Sequence, residues 1–473
     1  MSNGAAPRSI IIIGGGFAGT VTAIKLLDRA RAPLAITIIE RRVELGRGVA
    51  YGTTDPVHLL NGPARIFGLH PDRPDHLVDW LRQHGAAHGW AVPDDIHESS
   101  APRWLYGSYL QSELERAQRE AGGRASFRHV QGSAISIRQI DGRAEVKLDG
   151  GETLVANRVV LALGVFQSAL RPQEAAIADH PRFVRDPWDR AAIDRLTNAR
   201  EVLLIGSSLS MVDVVASLES RGYAGCYQVV SRRGQFIEPR RTTEVWPSFL
   251  VPGSFPTTAK ALLAAVKAER RAISAIGEDW QRLPLAIRPH VLALWQGADA
   301  AEQRRFARHL RAFWDVALHR AAPPSGAVVD NVIREGRLTR GAGRVTSLDA
   351  IGSRLAATIR WRHNGAVEER AFDGVIDCRG HQEHDWTRID DPLVRNLVAE
   401  GIVRPHATGF GIDATRQGLV IDGRGHVQPN ILAIGHPFRG VAWESSSIGE
   451  QLAQAIALAE QILPVESYEP IPA

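Results

Sequence analysis

Short apolar runs that end on glycine recur along this chain, and helical periodicity follows the most prominent of them. Ile10–Ile13 runs directly into Gly14-x-Gly16-x-x-Gly19. Such a run, bounded by a turn signal, predicts a buried strand, and the amphipathic spacing after it predicts a helix. ITII, closing on Glu40, predicts a second strand. The pattern returns in EVLLIGSSLSMVDVVASLESRGYAGCYQVVSRRG from Glu201: strand, small-residue turn, helix, glycine, strand. Gly14 to Glu40 is 26 positions (40 − 14), and Gly206 to Arg232 is 26 as well (232 − 206). Phe127–Gly164 and Gly336–Gly380 alternate apolar and polar residues between glycine turns, which predicts two β-meanders. Each closes in an apolar strand capped by glycine, VVLALG and GVIDCRG. Near the C-terminus, strand Ile431–Ile434 leads to Gly435, a loop, and a long helix from about Ser446.

Residues 255–325 differ in kind. Glycine is scarce and the spacing is helical. RRFARHLRAFWDVALHR puts Phe306, Leu310, Phe313, Trp314, Ala317 and Leu318 on one face, with Arg304, Arg305, Arg308 and Arg311 largely on the other. Trp280, Trp295 and Trp314 read as core or as the lining of a pocket.

The fold class that follows is α/β: two Rossmann-like dinucleotide-binding domains with β-meanders, plus a helical insertion. The first domain takes residues 1–168 and 366–473, the second 197–365, and the insertion 255–325 covers a substrate cleft. In the first fingerprint Gly14 allows the tight turn, Gly16 lets backbone approach a pyrophosphate, and Gly19 lets helix and strand pack closely. Phe17 and Ala18 open the helix, whose N-terminus favours the phosphates, and Glu40, with Arg41 beside it, can bind ribose hydroxyls. In the second copy, Gly206, Ser207, Ser208 and Ser210 form the turn, Met211 replaces the third glycine, and Ser231, Arg232 and Arg233 stand where the acid stood. A carboxylate repels a 2′-phosphate and arginines pair with one, so the first site suits FAD or NAD and the second NADP. Met211 should hold its helix away from the strand.

Composition narrows the function. Four hundred and seventy-three residues exceed one hydrophobic core, and 44% apolar with 23% charged is ordinary for a globular enzyme. Net charge is only +4 (56 − 52), and no dense basic tail points to nucleic acid. No apolar run is long enough for an integral membrane helix, and the start lacks a signal peptide pattern, so a cytoplasmic location is expected. Cys226 and Cys378 are the two cysteines, 152 positions apart (378 − 226), with no zinc spacing. No metal site is expected.

The stretches IIIIGGGFAG, GRGVAYGTTDPVHLLNGPA, IGSSLSMVDVVASL, VVSRRG, RAFWDVALHRAAP and GHPFRGVAWESSSIGEQLAQAIA resemble the FAD/NAD(P)-binding proteins related to N-hydroxylating flavin monooxygenases. This resemblance implies FAD on Gly14, Gly16, Gly19 and Glu40, with Ala134 offering backbone to adenine and Asn61 near the isoalloxazine. Gly164, Gly435, Ser447 and Ile448 would border the flavin, and NADPH would lie on the second fingerprint. Many relatives carry Gly-Asp where this chain has Gly435-His436. The implied activity is NADPH-dependent monooxygenation of a small molecule by O₂, at a nitrogen or other nucleophilic centre, through a flavin C4a-hydroperoxide. His436 and Glu444 are the candidate catalytic side chains. His58, His381, His384 and His406 read as loop histidines. An oxygen-independent flavin dehydrogenase or reductase, or a flavin-binding protein with a dead second site, stays open, as does oligomerisation. A redox cysteine pair after Glu40, needed for disulfide reduction, is missing.

Overall fold

In the computed structural model, which describes residues 8–464, the two repeats become two parallel sheets. The first has six strands in the order Leu419–Ile421, Val427–Ala433, Arg158–Leu161, Arg8–Ile13, Leu34–Glu40, Ala125–Gln131. All its neighbours run parallel except the Leu419–Ile421 edge. Arg8–Ile13 is a run of isoleucines because both its faces are buried. Ile10 and Ile12 pack with helices Phe17–Arg29, Arg103–Ala121 and Ile448–Ile462. Ile11 and Ile13 pack with a separate three-stranded meander, Ala134–Ala156, and helix Pro392–Ala399.

The second sheet has seven strands: Val367–Phe372, Arg354–Trp361, Leu338–Ile351, Cys226–Ser231, Glu201–Ile205, Gly374–Asp377, Phe183–Val184. Here the meander is fused to the sheet. Leu338–Ile351 pairs in parallel with Cys226–Ser231 through its first half and antiparallel with Arg354–Trp361 through its second. Gly374–Asp377 lies beside Glu201–Ile205 as Arg158–Leu161 lies beside Arg8–Ile13. That pairing corrects the expected boundaries. Residues 367–377, assigned above to the first domain, belong to the second sheet, which also begins before 197, at Phe183.

Between strands Cys226–Ser231 and Leu338–Ile351 of the second sheet the chain makes the insertion, five α-helices from Ala259 to Leu318. Helix Pro323–Arg334 instead packs Val329 and Val332 into the core of the second sheet. The long amphipathic helix expected here is two, Ala300–His309 and Arg311–Leu318, with Leu310 between them. The break changes the faces: Phe306 and Trp314 turn inward, whereas Phe313 is half exposed under the Arg233 guanidinium. The insertion's own core includes Leu294 and Trp295 and closes on Phe410 and Trp443, so it rests on the C-terminal part of the chain.

A buried polar seam joins the two units. Arg103 donates twice to Asp213, at 2.6 and 3.1 Å. Arg221 pairs with Asp55 at 2.8 Å, and the His58 ring lies 2.9 Å from Ser217 Oγ. Removing one partner of a buried pair leaves the other charge stranded, at a cost of about 3–5 kcal/mol. Asp213→Ala is therefore expected to lower the unfolding free energy by that much in a urea titration. A loss under about 1 kcal/mol, the scale of a surface pair, would contradict the seam's role.

Candidate cofactor sites

A cleft of about 340 Å³ opens along the C-terminal ends of the first sheet's strands. It is the crevice where doubly wound sheets bind their ligands. One end is formed by Gly14, Gly16, Phe17, Ala18, Glu40 and Arg41. Gly14 sits at φ +104°, and a Cβ there would lie 2.3 Å from the Ala162 carbonyl oxygen. At Gly19 a Cβ would meet the Gly14 carbonyl at 1.9 Å, so helix and turn are in direct backbone contact. Glu40 is fixed at the rim: its carboxylate accepts from Gly15 N–H at 2.8 Å and from Arg42 N–H at 3.0 Å. Backbone of Gly132, Ser133 and Ala134 flanks that end. Gly164, Phe166, His381, His436, Ser446 and Ile448 flank the other, where helix Ile448–Ile462 points its N-terminus at the cleft. A cleft bordered by a carboxylate and by a helix N-terminus fits a flavin dinucleotide. The ribose would bind at Glu40 and the reduced ring at the helix.

Not every expected residue reaches this cleft. Asn61 faces Arg103 at 3.5 Å and is not part of the lining. Ser447 caps the helix, accepting from Glu450 N–H, and leaves the lining to Ser446 and Ile448. Gly435 lies against Ala18 and donates to Gln454. Glu444 is turned away from the cleft and accepts from Trp314 Nε1 at 2.8 Å.

His436 does line the cleft, and its Nδ1 lies 3.0 Å from Glu383 Oε2. Glu383 also bonds Arg439. Burial alone would raise the Glu383 carboxyl, but Arg439 and the His436 ring outweigh it and hold it well below the usual range. A carboxylate so fixed dictates the orientation of the imidazole. Glu383 was not singled out from the sequence; its only signal was its place just after the GVIDCRG strand. Trp188 was missed too. It lines the cleft from the segment linking the units, stacks on His381 at 5.0 Å, and donates to Asp213 at 3.2 Å.

The second fingerprint repeats the first in backbone. Gly206 sits at φ +117°, and a Cβ there would lie 2.3 Å from the Cys378 carbonyl oxygen. Ser207 donates to the Gln235 carbonyl and Ser208 begins helix Leu209–Ser220, with Ser210 half-buried in its first turn. Met211 is fully buried in the second core, where Gly19 has no room for any side chain. The two helices therefore cannot approach their turns equally closely. At the strand end Ser231 accepts from Gly234 N–H. The two arginines part company: Arg233 lies over Phe313 and donates to the His309 carbonyl, whereas Arg232 has no hydrogen bond or ion pair among the described residues. Burial lowers the Arg232 pKa, and the neighbouring Arg311, Arg344 and Arg233 lower it further. Arg232, Arg233, Arg311 and Arg344 thus place like charges near one another, the charge type that pairs with a phosphate.

The remaining histidines are structural in their contacts. His58 lies in the seam, His384 packs on Phe410, and His406 bonds Thr408. His70, His76 and Glu113 bring three ligand-type atoms within 4.8 Å, but Glu113 already accepts from His70 and Arg116. Burial lowers the pKa of His58, His76, His381, His384 and His406. In the folded protein these five take up protons less readily than in the unfolded chain, where they titrate near about 6.5. Stability should fall as pH drops below about 6.5. The carboxyls Asp315 and Glu450, raised by burial, act in the opposite sense as pH falls through their folded-state pKa values. Urea midpoints at about pH 7.5 and about pH 5.5 check the sign; an unchanged or higher midpoint at the lower pH would contradict it.

Residues 11–166 match the FAD-NAD(P)-binding family. No curated protein matches the sequence. Among solved structures, the chain is similar to ornithine hydroxylase from Pseudomonas aeruginosa, at 14% identity over 97% of this chain and 99% of that one, with a TM-score of 0.65. The FAD-bound cadaverine monooxygenase of Erwinia amylovora is 14% identical over 99% of both chains, with a TM-score of 0.67. Lactococcus lactis thioredoxin reductase is 11% identical over 96% of this chain and 98% of that one, at 0.53. At such identities likeness speaks for architecture and not for reaction. Among the described residues no helix is long and apolar enough to cross a membrane. Residues 11–166 thus match a FAD-NAD(P)-binding family, and the chain as a whole shares its fold with an ornithine hydroxylase, a cadaverine monooxygenase and a thioredoxin reductase.

Proposed function

We propose that this protein is an FAD- and NADPH-dependent monooxygenase that places one oxygen atom on a nitrogen or other nucleophilic centre of a small molecule. The observation that carries the reading is the duplicated turn with opposite charges: Glu40 at the end of one site, and Arg232, without a hydrogen-bond or ion-pair partner among the described residues, at the end of the other. Bound flavin would supply hydride acceptance from the nicotinamide and activation of O₂. The chain's own residues do the rest. Glu40 holds ribose, the N-terminus of helix Ile448–Ile462 favours negative charge on the reduced ring, and His436, steadied by Glu383, can hold or pass a proton at the cleft. Trp188 and the insertion exclude water, which protects reactive oxygen species from discharge. Disulfide reduction is disfavoured because Cys226 is exposed and Cys378 buried, each free and apart from the other. A dehydrogenase acting without O₂ uses the same cofactors and separates only by experiment. Purified protein should be yellow, release FAD and not FMN on denaturation, and lose its yellow colour when NADPH is added anaerobically. Protein that cannot be loaded with FAD overturns the reading.

A further inference from the structure

Four oxidisable rings connect the cofactor cleft with the surface of the first unit. Tyr51 lines the cleft. Its ring meets Tyr106 edge-on at 4.9 Å between centroids, Tyr106 meets Tyr109 at 5.7 Å, and Tyr109 meets Trp80 edge-on at 5.6 Å. Tyr106 and Tyr109 stand three positions apart on helix Arg103–Ala121 and so share a face, while Trp80 comes from helix His76–His84. All four are buried. Beyond Trp80 the exposed rings of His84 and His88 lie 5.1 and 5.6 Å from its indole. Phenylalanine would fill such a core without burying three hydroxyls. Tyrosine and tryptophan differ from it in giving up an electron readily. One of the phenols also has a proton acceptor within hydrogen-bond reach. Tyr109 Oη lies 2.8 Å from His76 Nδ1 and accepts from Leu69 N–H at 3.1 Å. The other nitrogen of that imidazole, Nε2, faces Glu113 Oε1 at 3.7 Å, and Glu113 is itself held by His70 and Arg116. Burial lowers the His76 pKa and raises that of the Tyr109 phenol, so the pair rests as neutral imidazole and intact phenol. Tyr106, by contrast, donates to the Phe67 carbonyl at 2.9 Å, which takes up no proton.

We infer that these rings are an electron route between a flavin in the cleft and the protein surface, with Tyr109 as the place where an oxidising equivalent comes to rest. The oxidant is a one-electron acceptor at the cleft, and oxidised flavin excited by light is the form that can be made at will. One electron leaves Tyr51 for the excited flavin. Tyr106 and then Tyr109 refill the gap, and as Tyr109 gives its electron its phenol proton moves to His76 Nδ1. The flavin has gained one electron, Tyr109 is a neutral phenoxyl radical, and His76 is an imidazolium facing the Glu113 carboxylate. A soluble one-electron donor such as ascorbate, acting at Trp80, then restores the electron, and the proton returns from His76 to the phenol. The inference needs flavin in the cleft; it does not depend on oxygen transfer to a substrate.

The test is blue illumination of the FAD-loaded protein, without oxygen and without NADPH, followed by electron paramagnetic resonance. The parent protein should give a phenoxyl radical signal that grows as the flavin bleaches. Tyr51→Phe removes a hydroxyl that has no hydrogen bond among the described residues, and it should cut the phenoxyl yield at least tenfold at unchanged FAD content. Tyr109→Phe should abolish the long-lived signal. His76→Gln, which can still bond the phenol but takes up no proton, should shorten the life of the signal at least tenfold. Ascorbate should quench the radical at least fivefold more slowly in Trp80→Phe than in the parent. Trp188 also lines the cleft and is the competing donor. A tryptophanyl signal alone, lost in Trp188→Phe, would overturn the inference. So would a phenoxyl yield unchanged by Tyr51→Phe, and that variant decides the matter even if Tyr109→Phe fails to fold.

Discussion

Gly14→Ala protein should be recovered without FAD, and Gly206→Ala protein should keep FAD but lose its response to NADPH. Both glycines occupy a left-handed backbone conformation, and at each a Cβ would press to 2.3 Å on a carbonyl oxygen of the adjoining strand, Ala162 or Cys378. A non-glycine residue at positive φ costs about 1–2 kcal/mol before any clash. Because the obstructing atom is backbone, relief requires the turn itself to move, and the turn is what carries the phosphates. We expect at least a tenfold loss of FAD occupancy in the first variant and of NADPH-driven flavin reduction in the second. The two losses should not cross. If Gly206→Ala lost FAD, or Gly14→Ala kept it, the division of labour between the two turns would be wrong. Thermal melting of each variant checks that the affected unit still folds.

Arg232→Ala should raise the KM for NADPH by about 10–100-fold and leave NADH nearly unchanged. A charge-assisted contact to phosphate contributes about 1.5–3 kcal/mol. In the free protein Arg232 is half-buried among like charges, with no partner that its removal would strand. Arg344→Ala should act in the same direction. Arg233→Ala should do less, since that guanidinium is committed to Phe313 and the His309 carbonyl. A parent protein that uses NADH and NADPH equally would remove the basis for all three expectations.

Much of this was legible in the sequence because backbone constraints write themselves locally. Gly14, Gly19 and Gly206 stand where a side chain has no room, and their spacing to Glu40 and Arg232 follows from the length of one helix and one strand. The isoleucine run showed a strand buried on both faces. What the sequence hid depends on contacts distant along the chain. Glu383 meets His436 across 53 residues, and Arg103 meets Asp213 across 110. Neither spacing leaves a periodic trace. The boundary near 366 was misplaced because GVID looks like any buried strand; only pairing with Glu201–Ile205 assigns it to the second sheet. The break at Leu310 escaped because helical periodicity continues across it, and with it went the burial of Phe313. Asn61 came from resemblance; it contacts Arg103, which lines the cleft, and does not line the cleft itself.

The central proposal is that flavin and NADPH on this chain deliver one oxygen atom to a nitrogen or other nucleophilic centre of a small molecule. Its most direct test is a turnover experiment under ¹⁸O₂ with the FAD-loaded protein, NADPH and a panel of small molecules carrying such centres, the product being weighed by mass spectrometry. One labelled oxygen atom in the product, formed only when NADPH is present, is the predicted result. NADPH consumption that yields hydrogen peroxide or a dehydrogenated product, with no labelled atom in any product of the panel, would contradict it.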